Sequence, residues 1–512
     1  MKLLTIIFLV FSLTSVLVSG TFFVSNQGSN AHNGSQKEPW QTLQYAADQV
    51  QAGDTVLVEN GTYSGFSLST AGDSLHPIMF KAKGNQVVVD RANQQDNIEL
   101  FLAHFVIIDG FTITHAQRAG ISVLGYADNE CKGVILRNNI CINNTRWGIF
   151  TGYAKNILIE KNETAYSGSE HGIYVSNSSD NPIIRNNIAH HNNGSGIQIN
   201  ADPALDGDGI ISNALVENNI CYENGDGGGA ALNFASIRNS MIKNNMLYNN
   251  HAGGMAFWDD GFGNGMGCKD NKIYNNTVVM PEDGRWALNM INSSTGNEII
   301  NNILIHEGSR GGLEIDASSM ENLLSDFNIM QKISSSENWI SLSDWKVQSG
   351  QDLHSIAASV PNLFVGSGDY HLNAHSAALD KGKNLTRVRE DFEGDERPSG
   401  PSTDIGADEL IVTAINPKTF KRSNEPLQLL GTYPNPFKEN TVIRYSLRSP
   451  ARVHINVFDT LGRLVLTSKP EQKNSGTYSY TLNAHTITSG IYYLQIVTNQ
   501  SAFKTGRLLI LK

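Results

Sequence analysis

Acidic residues gather in three polar segments that could bind a metal ion. Residues 201–210 and 259–270 interrupt an otherwise regular pattern, and a glycine-rich run lies between them at 225–229. Carboxylates gathered without matching lysines repel one another, and a calcium ion would relieve that repulsion because it prefers oxygen ligands. The alternative is turn chemistry, since Asp and Gly are common in solvated loops. The predicted metal ligands are Asp202, Asp206, Asp208, Asp226, Asp259 and Asp260.

A histidine and an arginine lie just before predicted strands, where they could reach a substrate. His171 follows Glu170 and lies three residues before Tyr174, while Arg285 is followed by Trp286. A neutral imidazole can accept a proton at pH values above its pKa of about 6.5. We therefore predict that His171 is a general base, that Tyr174 is its proton-transfer partner, and that Arg285 holds a substrate carboxylate. The neighbouring pair His190-His191 is predicted to lie on the surface.

The elements that position these residues recur along the chain. From about residue 120 to residue 330, an apolar strand, a polar bend, a second strand, an Asn pair and a third strand repeat every 23 to 35 residues. Stacking each turn on the previous one pairs the backbone groups at a rise of about 4.8 Å. The pattern predicts a parallel β-helix.

Alternate residues of each strand should point out of this β-helix and form columns along one face. If the apolar residues of the first strands point inward, polar and aromatic residues line the outer face. Such a mixture suits sugar rings, which stack on apolar faces and form hydrogen bonds at their edges. The predicted substrate-binding residues are Gln198, Asn200, Asn233, Trp258 and Trp286.

One asparagine recurs at the same bend of every repeat. Its amide could donate to the next turn and accept from the previous one, and Asn tolerates the left-handed backbone of a sharp bend. We predict a structural ladder through Asn139, Asn162, Asn187, Asn219, Asn245, Asn276, Asn302 and Asn328.

Composition excludes some functions and favours a β-rich fold. The 512 residues include 38 Lys and Arg against 49 Asp and Glu, which gives a net charge of −11. This charge argues against binding to nucleic acid or to an anionic membrane. A charged fraction of only 17% together with 47 Gly favours turn-rich β structure. We expect a monomer.

The chain begins with a pattern typical of a signal peptide. Lys2 precedes an apolar run that ends at Val18, and the small residues Ser19 and Gly20 follow. The run is short for a transmembrane helix, so no span is predicted in the mature protein. Residues 1–20 are assigned to the signal.

Export would place four cysteines in an oxidising compartment. Cys141 and Cys221 fall in one inward column, three turns apart, and about 14 Å is too far for a disulfide. A bridge between Cys131 and Cys268 stays open.

The segment after the signal resembles the opening cap of secreted, pectate-lyase-like right-handed β-helix proteins. The matching stretches are FFVS from Phe22, PWQTLQYAA from Pro39, AGDTVLV from Ala52 and GTY from Gly61. The resemblance implies an all-β, right-handed parallel β-helix. Its parts would be a cap with the first coils at 21–110, ladder coils at 111–330 and a closing segment at 331–410.

The end of the chain resembles the C-terminal sorting domain of the Bacteroidetes type IX secretion system. The motifs are YPNPF from Tyr433, DTLGR from Asp459, SGIYY from Ser489 and a basic end. The resemblance implies a linker at 411–428 and a small β-sandwich at 429–512 that interacts with the secretion machinery. It also implies that the protein is secreted or held on the outer-membrane exterior of a Gram-negative bacterium.

Three functions fit these observations. Family resemblance favours a polysaccharide lyase that cleaves an acidic, uronate-containing polymer by β-elimination, with calcium as its cofactor. The run Asp259-Asp260-Gly261-Phe262 resembles a calcium-binding segment of some pectate lyases, but the Lys expected on a nearby strand is missing. The alternatives are a glycoside hydrolase with paired Asp carboxylates and a non-catalytic protein that binds surface polysaccharides.

Overall fold

The computed structural model describes residues 19–91, 95–261, 265–335, 338–366, 368–411, 427–433, 435, 437, 439–459, 463–488, 490–499 and 503–510. The predicted signal peptide lies outside this set except for Ser19 and Gly20, and so does nearly all of the predicted linker. The chain forms two compact units, one containing residues 1–363 and 372–412 and the other containing 364–371 and 413–512.

Three parallel sheets run along the first unit, and each turn of the chain adds one strand to each sheet. The first sheet contains, in spatial order, Thr21–Val24, Thr55–Val58, Ile78–Ala82, Val106–Asp109, Ile135–Arg137, Leu158–Glu160, Ile183–Arg185, Leu215–Glu217, Met241–Lys243, Lys272–Tyr274, Glu298–Ile300 and Leu324–Asp326. The second contains Gly61–Ser64, Val87–Arg91, Thr112–Thr114, Ile140–Ile142, Glu163–Ala165, Ile188–His190, Ile220–Tyr222, Met246–Tyr248, Thr277–Met280, Ile303–His306 and Ile329–Met330. The architecture is the predicted parallel β-helix.

The third sheet carries the predicted substrate face. Its strands are Phe66–Leu68, Ile98–Phe101, Ala119–Leu124, Trp147–Gly152, Ile173–Ser176, Ile197–Asn200, Ala230–Ala235, Gly253–Trp258, Leu288–Met290, Leu313–Ile315, Lys332–Ser335 and Asn338–Ser341. The last strand pairs antiparallel. Short pairs join Cys131–Lys132 to Ala154–Lys155, Ile211–Ser212 to Ile237–Arg238, and Phe364–Gly366 to Asp369–Leu372.

The core consists of inward columns of apolar side chains. In the second sheet Cys141, Thr164, Ala189 and Cys221 are register partners in consecutive turns, as the sequence predicted. All four cysteines are buried free thiols, so the bridge left open between Cys131 and Cys268 is not formed. Burial raises the pKa of each thiol well above its usual value.

The asparagine ladder is confirmed at every predicted position. The Asn139 side chain donates to Oδ1 of Asn162 at 3.1 Å, and the same bond recurs from turn to turn until Asn302 donates to Asn328 at 3.1 Å. One detail differs from the prediction. The left-handed backbone belongs to the residue before the ladder position, such as Asn244 with φ 55°. Where the preceding residue is also Asn, as in Asn244-Asn245, the two side chains therefore have different roles, and Lys161 and Phe327 take the left-handed position elsewhere.

A second ladder follows the second sheet and was not predicted. Asn192 donates to Oδ1 of Asn224 at 2.9 Å, and Asn224 donates to Oδ1 of Asn250 at 3.0 Å. These amides satisfy buried backbone groups at the bend into the third sheet.

Helices cover both ends of the β-helix. The predicted cap helix spans Leu43–Gln49, and Oγ1 of Thr42 accepts the backbone N–H of Tyr45 at its start. A second helix, Leu342–Ser349, begins at Ser341 and ends at Gly350 in the left-handed conformation. Its Leu342 and Trp345 join the core cluster, so it protects the last turn of the sheets. Short 3₁₀ turns span Ala317–Ser319 and Val360–Asn362.

The second unit is built from antiparallel strands around its own core. One sheet contains Leu427–Tyr433, Asn440–Leu447 and Gly476–Asn483, and the other contains Ala451–Phe458, Leu464–Thr467, Glu471–Lys473, Gly490–Thr498 and Phe503–Ile510. Residues of both sheets, such as Ile443 and Leu494, share one buried cluster. The predicted small sandwich is confirmed. In the described part of the chain, no helix is long and apolar enough to cross a membrane.

Candidate functional site

The outer face of the third sheet forms a groove whose floor is one column of side chains. Register pairs link the column in consecutive turns, in agreement with the sequence prediction. The floor column contains Phe150, Tyr174, Gln198, Asn233, Ala256 and Asn289. Loops before the strands carry Glu170, His171 and Arg285, and loops after them carry Asp202 and Asp260.

Polar groups from both sides of the groove converge on Tyr174. Its hydroxyl shares a hydrogen bond with the Asn200 side chain, and Asn200 Nδ2 donates to Oδ2 of Asp260 at 3.3 Å. The backbone N–H of Asp202 donates to Asn200 Oδ1 at 3.0 Å. Burial raises the pKa of Tyr174, and the charges of Asp202, Glu170 and Asp260 raise it further. The phenol therefore holds its proton at neutral pH.

His171 lies beside Tyr174 but is oriented against the predicted base role. The two rings meet edge to face with centroids 5.2 Å apart. The backbone N–H of Ser195 donates to His171 Nδ1 at 2.9 Å, so the lone pair of that nitrogen is in use. The remaining Nε2 then carries the proton and lies 3.5 Å from Oε2 of Glu170. We therefore correct the assignment, because this imidazole offers a donor and not a free lone pair.

The charge state of His171 follows from its surroundings. Burial lowers its pKa to about 4, against the opposing effect of Glu170 and with a small lowering by Arg146. Arg146 Nη2 bonds to Oε1 of Glu170 at 2.6 Å, which reduces the influence of that carboxylate. The imidazole is neutral at neutral pH.

Arg285 lies too far from His171 to act on the same sugar. Strands Ile173–Ser176 and Leu288–Met290 are separated by four register steps, which is about 19 Å along the axis at about 4.8 Å per step. The joint role predicted for these residues is therefore corrected. The exposed Arg285 guanidinium packs 5.8 Å from the Trp286 ring centre. Among the described residues it has no carboxylate within 4 Å, so both side chains could still contact a distant part of a polymer.

An aromatic cluster adjoins Tyr174 and was missed by the sequence analysis. Trp147 stacks on Phe150 with centroids 4.3 Å apart and planes at 15°, and Phe150 lies 5.5 Å from Tyr174. The Arg146 guanidinium covers Trp147 at 4.3 Å. The available signal was position, because Trp147 precedes its glycine as His171 precedes Gly172 one turn later.

The other predicted substrate-binding residues lie along the floor and its edge. Trp258 Nε1 donates to Asn233 Oδ1 at 2.8 Å, which fixes the indole over the middle of the groove. Gln198 Oε1 accepts the hydroxyl of Ser195 at 3.2 Å. Their places agree with the prediction, and their contact with a substrate stays a prediction.

The long loop at 201–210 sends its acids in different directions. Burial raises the pKa of Tyr153, and the negative charges of Asp206 and Asp202 raise it further. Burial raises the pKa of Asp180, and the negative charge of Asp208 raises it too. Only Asp202 is among the groups that act on Tyr174.

The remaining acids are likewise engaged elsewhere. Asp226 Oδ1 lies 3.9 Å from Nε2 of His251, and Asp259 Oδ1 accepts from Asn292 Nδ2 at 3.0 Å. Within the described chain, no three of the six predicted metal ligands bring donor atoms within 4.8 Å of one another. The expectation that all six share one calcium site is therefore corrected, and Asp202 and Asp260 remain as the pair beside Tyr174.

Comparison with known proteins identifies both parts of the chain. Residues 22–167 match the family model described as Pel9A-like, right handed beta helix region. These residues, 22–167, are thus similar to a Pel9A-like right-handed β-helix region. Residues 431–511 match the secretion system C-terminal sorting domain, the type IX domain of Bacteroidetes, which marks the protein as secreted or held at the cell surface.

Two solved structures and one curated sequence show how far the likeness extends. The crystal structure of pectate lyase Pel9A is 16% identical, with a TM-score of 0.53 over 76% of this chain and 96% of that one. A rhamnogalacturonan lyase is 13% identical, with a TM-score of 0.44 over 72% of this chain and 97% of that one.

The curated relative is the uncharacterized protein YwoF of Bacillus subtilis (strain 168). It is 26% identical over 200 residues, which cover 35% of this chain and 43% of YwoF. The match thus spans less than half of the relative's length. The β-helix of this chain shares its fold with the structure described as pectate lyase Pel9A.

Proposed function

We propose that the protein is a secreted polysaccharide lyase that cleaves a uronate-containing polymer by β-elimination. The observation that carries the proposal is the convergence of Asp202, Asp260 and Asn200 on the Tyr174 hydroxyl in the groove. The structural neighbour described as a pectate lyase supports the proposal of this reaction class.

The groups around Tyr174 fit a divalent cation of the calcium type. Two carboxylates, an amide oxygen and a phenol oxygen are the hard oxygen donors that calcium prefers. Burial raises the pKa of Tyr174 first, and the charges of Asp202, Glu170 and Asp260 raise it further, so three carboxylates act on the phenol. A bound cation would offset that charge and polarise the carboxylate of the uronate.

Tyr174 is the residue that we assign to proton transfer. β-Elimination removes the proton next to the uronate carboxylate and breaks the bond to the leaving glycosidic oxygen, which must gain a proton. In the phenolate form, which a bound cation would favour by offsetting the nearby negative charge, Tyr174 can take the first proton, and the resulting phenol can return it to the leaving oxygen. We assign His171 as a positioning residue, because its Nε2–H could donate a hydrogen bond to a substrate beside Tyr174.

Substitution of Tyr174 by Phe tests the assignment. The variant keeps the ring contacts with Phe150 and His171 but lacks the hydroxyl, so turnover should fall at least about 100-fold with little change in melting temperature. Arg285→Gln is the matched control, because Arg285 lies about 19 Å away and should affect KM for long chains more than turnover.

Product analysis separates the reaction classes. The protein is incubated with acidic and neutral polysaccharides, and ultraviolet absorbance and reducing ends are recorded. New unsaturation that depends on Tyr174 supports the lyase. Equal turnover of unsaturated product by wild type and Tyr174→Phe would contradict the role of the tyrosine, and binding with neither product would identify a non-catalytic polysaccharide-binding protein.

A glycoside hydrolase is the second candidate because carboxylates face Tyr174 from both sides. Glu170 precedes the strand and Asp202 and Asp260 follow strands of the same sheet, and all three act on the phenol. Hydrolysis needs one carboxylate as acid and a second as base or nucleophile. New reducing ends without unsaturation would favour the hydrolase over the lyase. This product should be lost in Glu170→Gln or Asp260→Asn.

A further inference from the structure

A buried histidine on the second sheet lies in a closed aromatic cluster that the groove chemistry does not use. His190 faces away from the core column but is 0% exposed, which differs from the surface position predicted from the sequence. Its ring stacks on Tyr222 with centroids 4.8 Å apart and planes at 4°. Tyr166 closes the cluster edge-on at 5.7 Å.

The two nitrogens of His190 have different partners. Nδ1 lies 2.9 Å from Nδ1 of His191, within hydrogen-bond distance, so one of the two imidazoles donates to the other there. Nε2 points towards Glu163, whose Oε1 is 3.6 Å away, beyond hydrogen-bond distance. Nε2 is fully buried and has no hydrogen-bond partner in the described structure, and the same holds for the hydroxyl oxygen of Tyr222.

This arrangement brings an imidazole nitrogen and a carboxylate oxygen to 3.6 Å from each other. In the tautomer in which His190 donates its Nδ1 proton to His191, Nε2 presents a lone pair towards the Glu163 carboxylate, and a nitrogen and an oxygen donor then face each other at a spacing that suits a metal ion. Ligating histidines commonly donate their other ring N–H to a neighbour in this way. Two ligands at about 2.0 Å from a tetrahedral ion are about 3.3 Å apart, close to the observed gap.

We propose that His190 Nε2 and the Glu163 carboxylate bind a divalent transition-metal ion, with the Tyr222 hydroxyl as a third ligand. Nitrogen and oxygen donors in a small closed site suit zinc better than calcium, which takes oxygen donors in larger numbers. The Tyr222 hydroxyl oxygen is buried and has no hydrogen-bond partner in the described structure, so it is available as a ligand. The site is separate from the groove and does not depend on its activity.

Zinc titration of the chelator-treated protein tests the proposal. Calorimetry is performed with excess calcium, so that oxygen-only sites are filled. Wild type should bind one zinc ion and gain melting temperature, while Glu163→Gln and His190→Gln should bind at least about tenfold more weakly. A cobalt titration should give the visible bands of a four-coordinate ion in wild type and not in Glu163→Gln.

The control is His251→Gln at another histidine with carboxylate neighbours. His251 contacts Glu223 at 3.0 Å and Asp283 at 2.9 Å, so it is a competing place for zinc. This variant should keep the wild-type stoichiometry. The proposal is overturned if wild type binds no zinc, if both site variants bind as wild type does, or if His251→Gln removes the binding. Should His190→Gln fail to fold, Glu163→Gln decides alone, because Gln keeps the size of the side chain.

Discussion

Replacing Asn245 by Ala removes one rung from the middle of the first asparagine ladder. Its Nδ2 donates to the carbonyl of Val216 at 2.9 Å, to that of Lys243 at 3.1 Å and to Asn276 Oδ1 at 2.9 Å. Its Oδ1 accepts the backbone N–H and the side chain of Asn219, both at 3.0 Å. The substitution therefore breaks bonds to both neighbouring turns and one bond within its own turn.

The size of the effect depends on which groups keep another partner. Asn219 Nδ2 still donates to Ile184 at 2.9 Å, and Asn276 Oδ1 still accepts the backbone of residue 245 at 3.0 Å. The buried backbone N–H of Asn219 loses its acceptor, which costs about 1 to 3 kcal/mol. Loss of the other hydrogen bonds of the Asn245 side chain costs about 1 kcal/mol more. We expect the free energy of unfolding to fall by about 2 to 4 kcal/mol.

Denaturant unfolding followed by circular dichroism measures this loss, and hydrogen exchange locates it. The exchange of the Asn219 amide should accelerate, together with that of the adjoining turns, because a stack of turns can open locally. Asn193→Ala is the control, since its exposed side chain gives a single bond, to Ser169 at 3.1 Å. Equal denaturation midpoints and equal exchange for both variants would refute the reasoning.

Three further predictions address secretion, metal binding and pH. A chain that ends at Leu410 should melt as the full β-helix unit does and keep its activity, but should not reach the cell surface of its native host; normal surface display would contradict the sorting role. Calcium should raise the melting temperature of wild type and of Asp226→Asn but not of Asp260→Asn, because only Asp260 lies beside Tyr174; equal shifts in all three would exclude this site. The folded pKa of His171, about 4, lies below the unfolded value of about 6.5. Between these pH values the unfolded chain binds one more proton at His171 than the folded chain does, so stability should fall as pH drops from about 6.5 to about 4. In His171→Gln the slope of unfolding free energy against pH should be smaller by one proton. An unchanged slope in a pH series of unfolding curves would show that His171 does not cause it.

The sequence predicted the β-helix because a single periodicity determines both the core and the ladder. Side chains alternate along each strand, and the turns repeat the alternation, so Cys141 and Cys221 could be assigned to one inward column. The second ladder followed from the same rule. Asn192, Asn224 and Asn250 each come two residues after the end of a strand in the second sheet, and this regularity was visible in the sequence.

Side-chain roles in the site depended on contacts that no local pattern determines. The role of His171 was decided by the backbone N–H of Ser195, a neighbour 24 residues away that occupies its only free lone pair. The six predicted metal ligands do not meet at one site, because the direction of each side chain depends on loop conformation and not on strand register. His190 was expected on the surface, since the stacked ring of Tyr222 that buries it belongs to the next turn.

Distance along the axis could have been counted from the sequence, and it separates the groove into two regions. Each first strand of the repeat adds about 4.8 Å, so Tyr174 and Arg285, four repeats apart, cannot contact one sugar unit of an extended polymer. The proton transfer proposed at Tyr174 and the positive guanidinium of Arg285 can therefore act on the same substrate only if that substrate is a chain of several sugars. A substrate long enough to reach both should lose affinity in Arg285→Gln, whereas a disaccharide at Tyr174 should be unaffected. Equal loss for both substrate lengths would mean that Arg285 acts through the fold, because direct contact requires the longer chain.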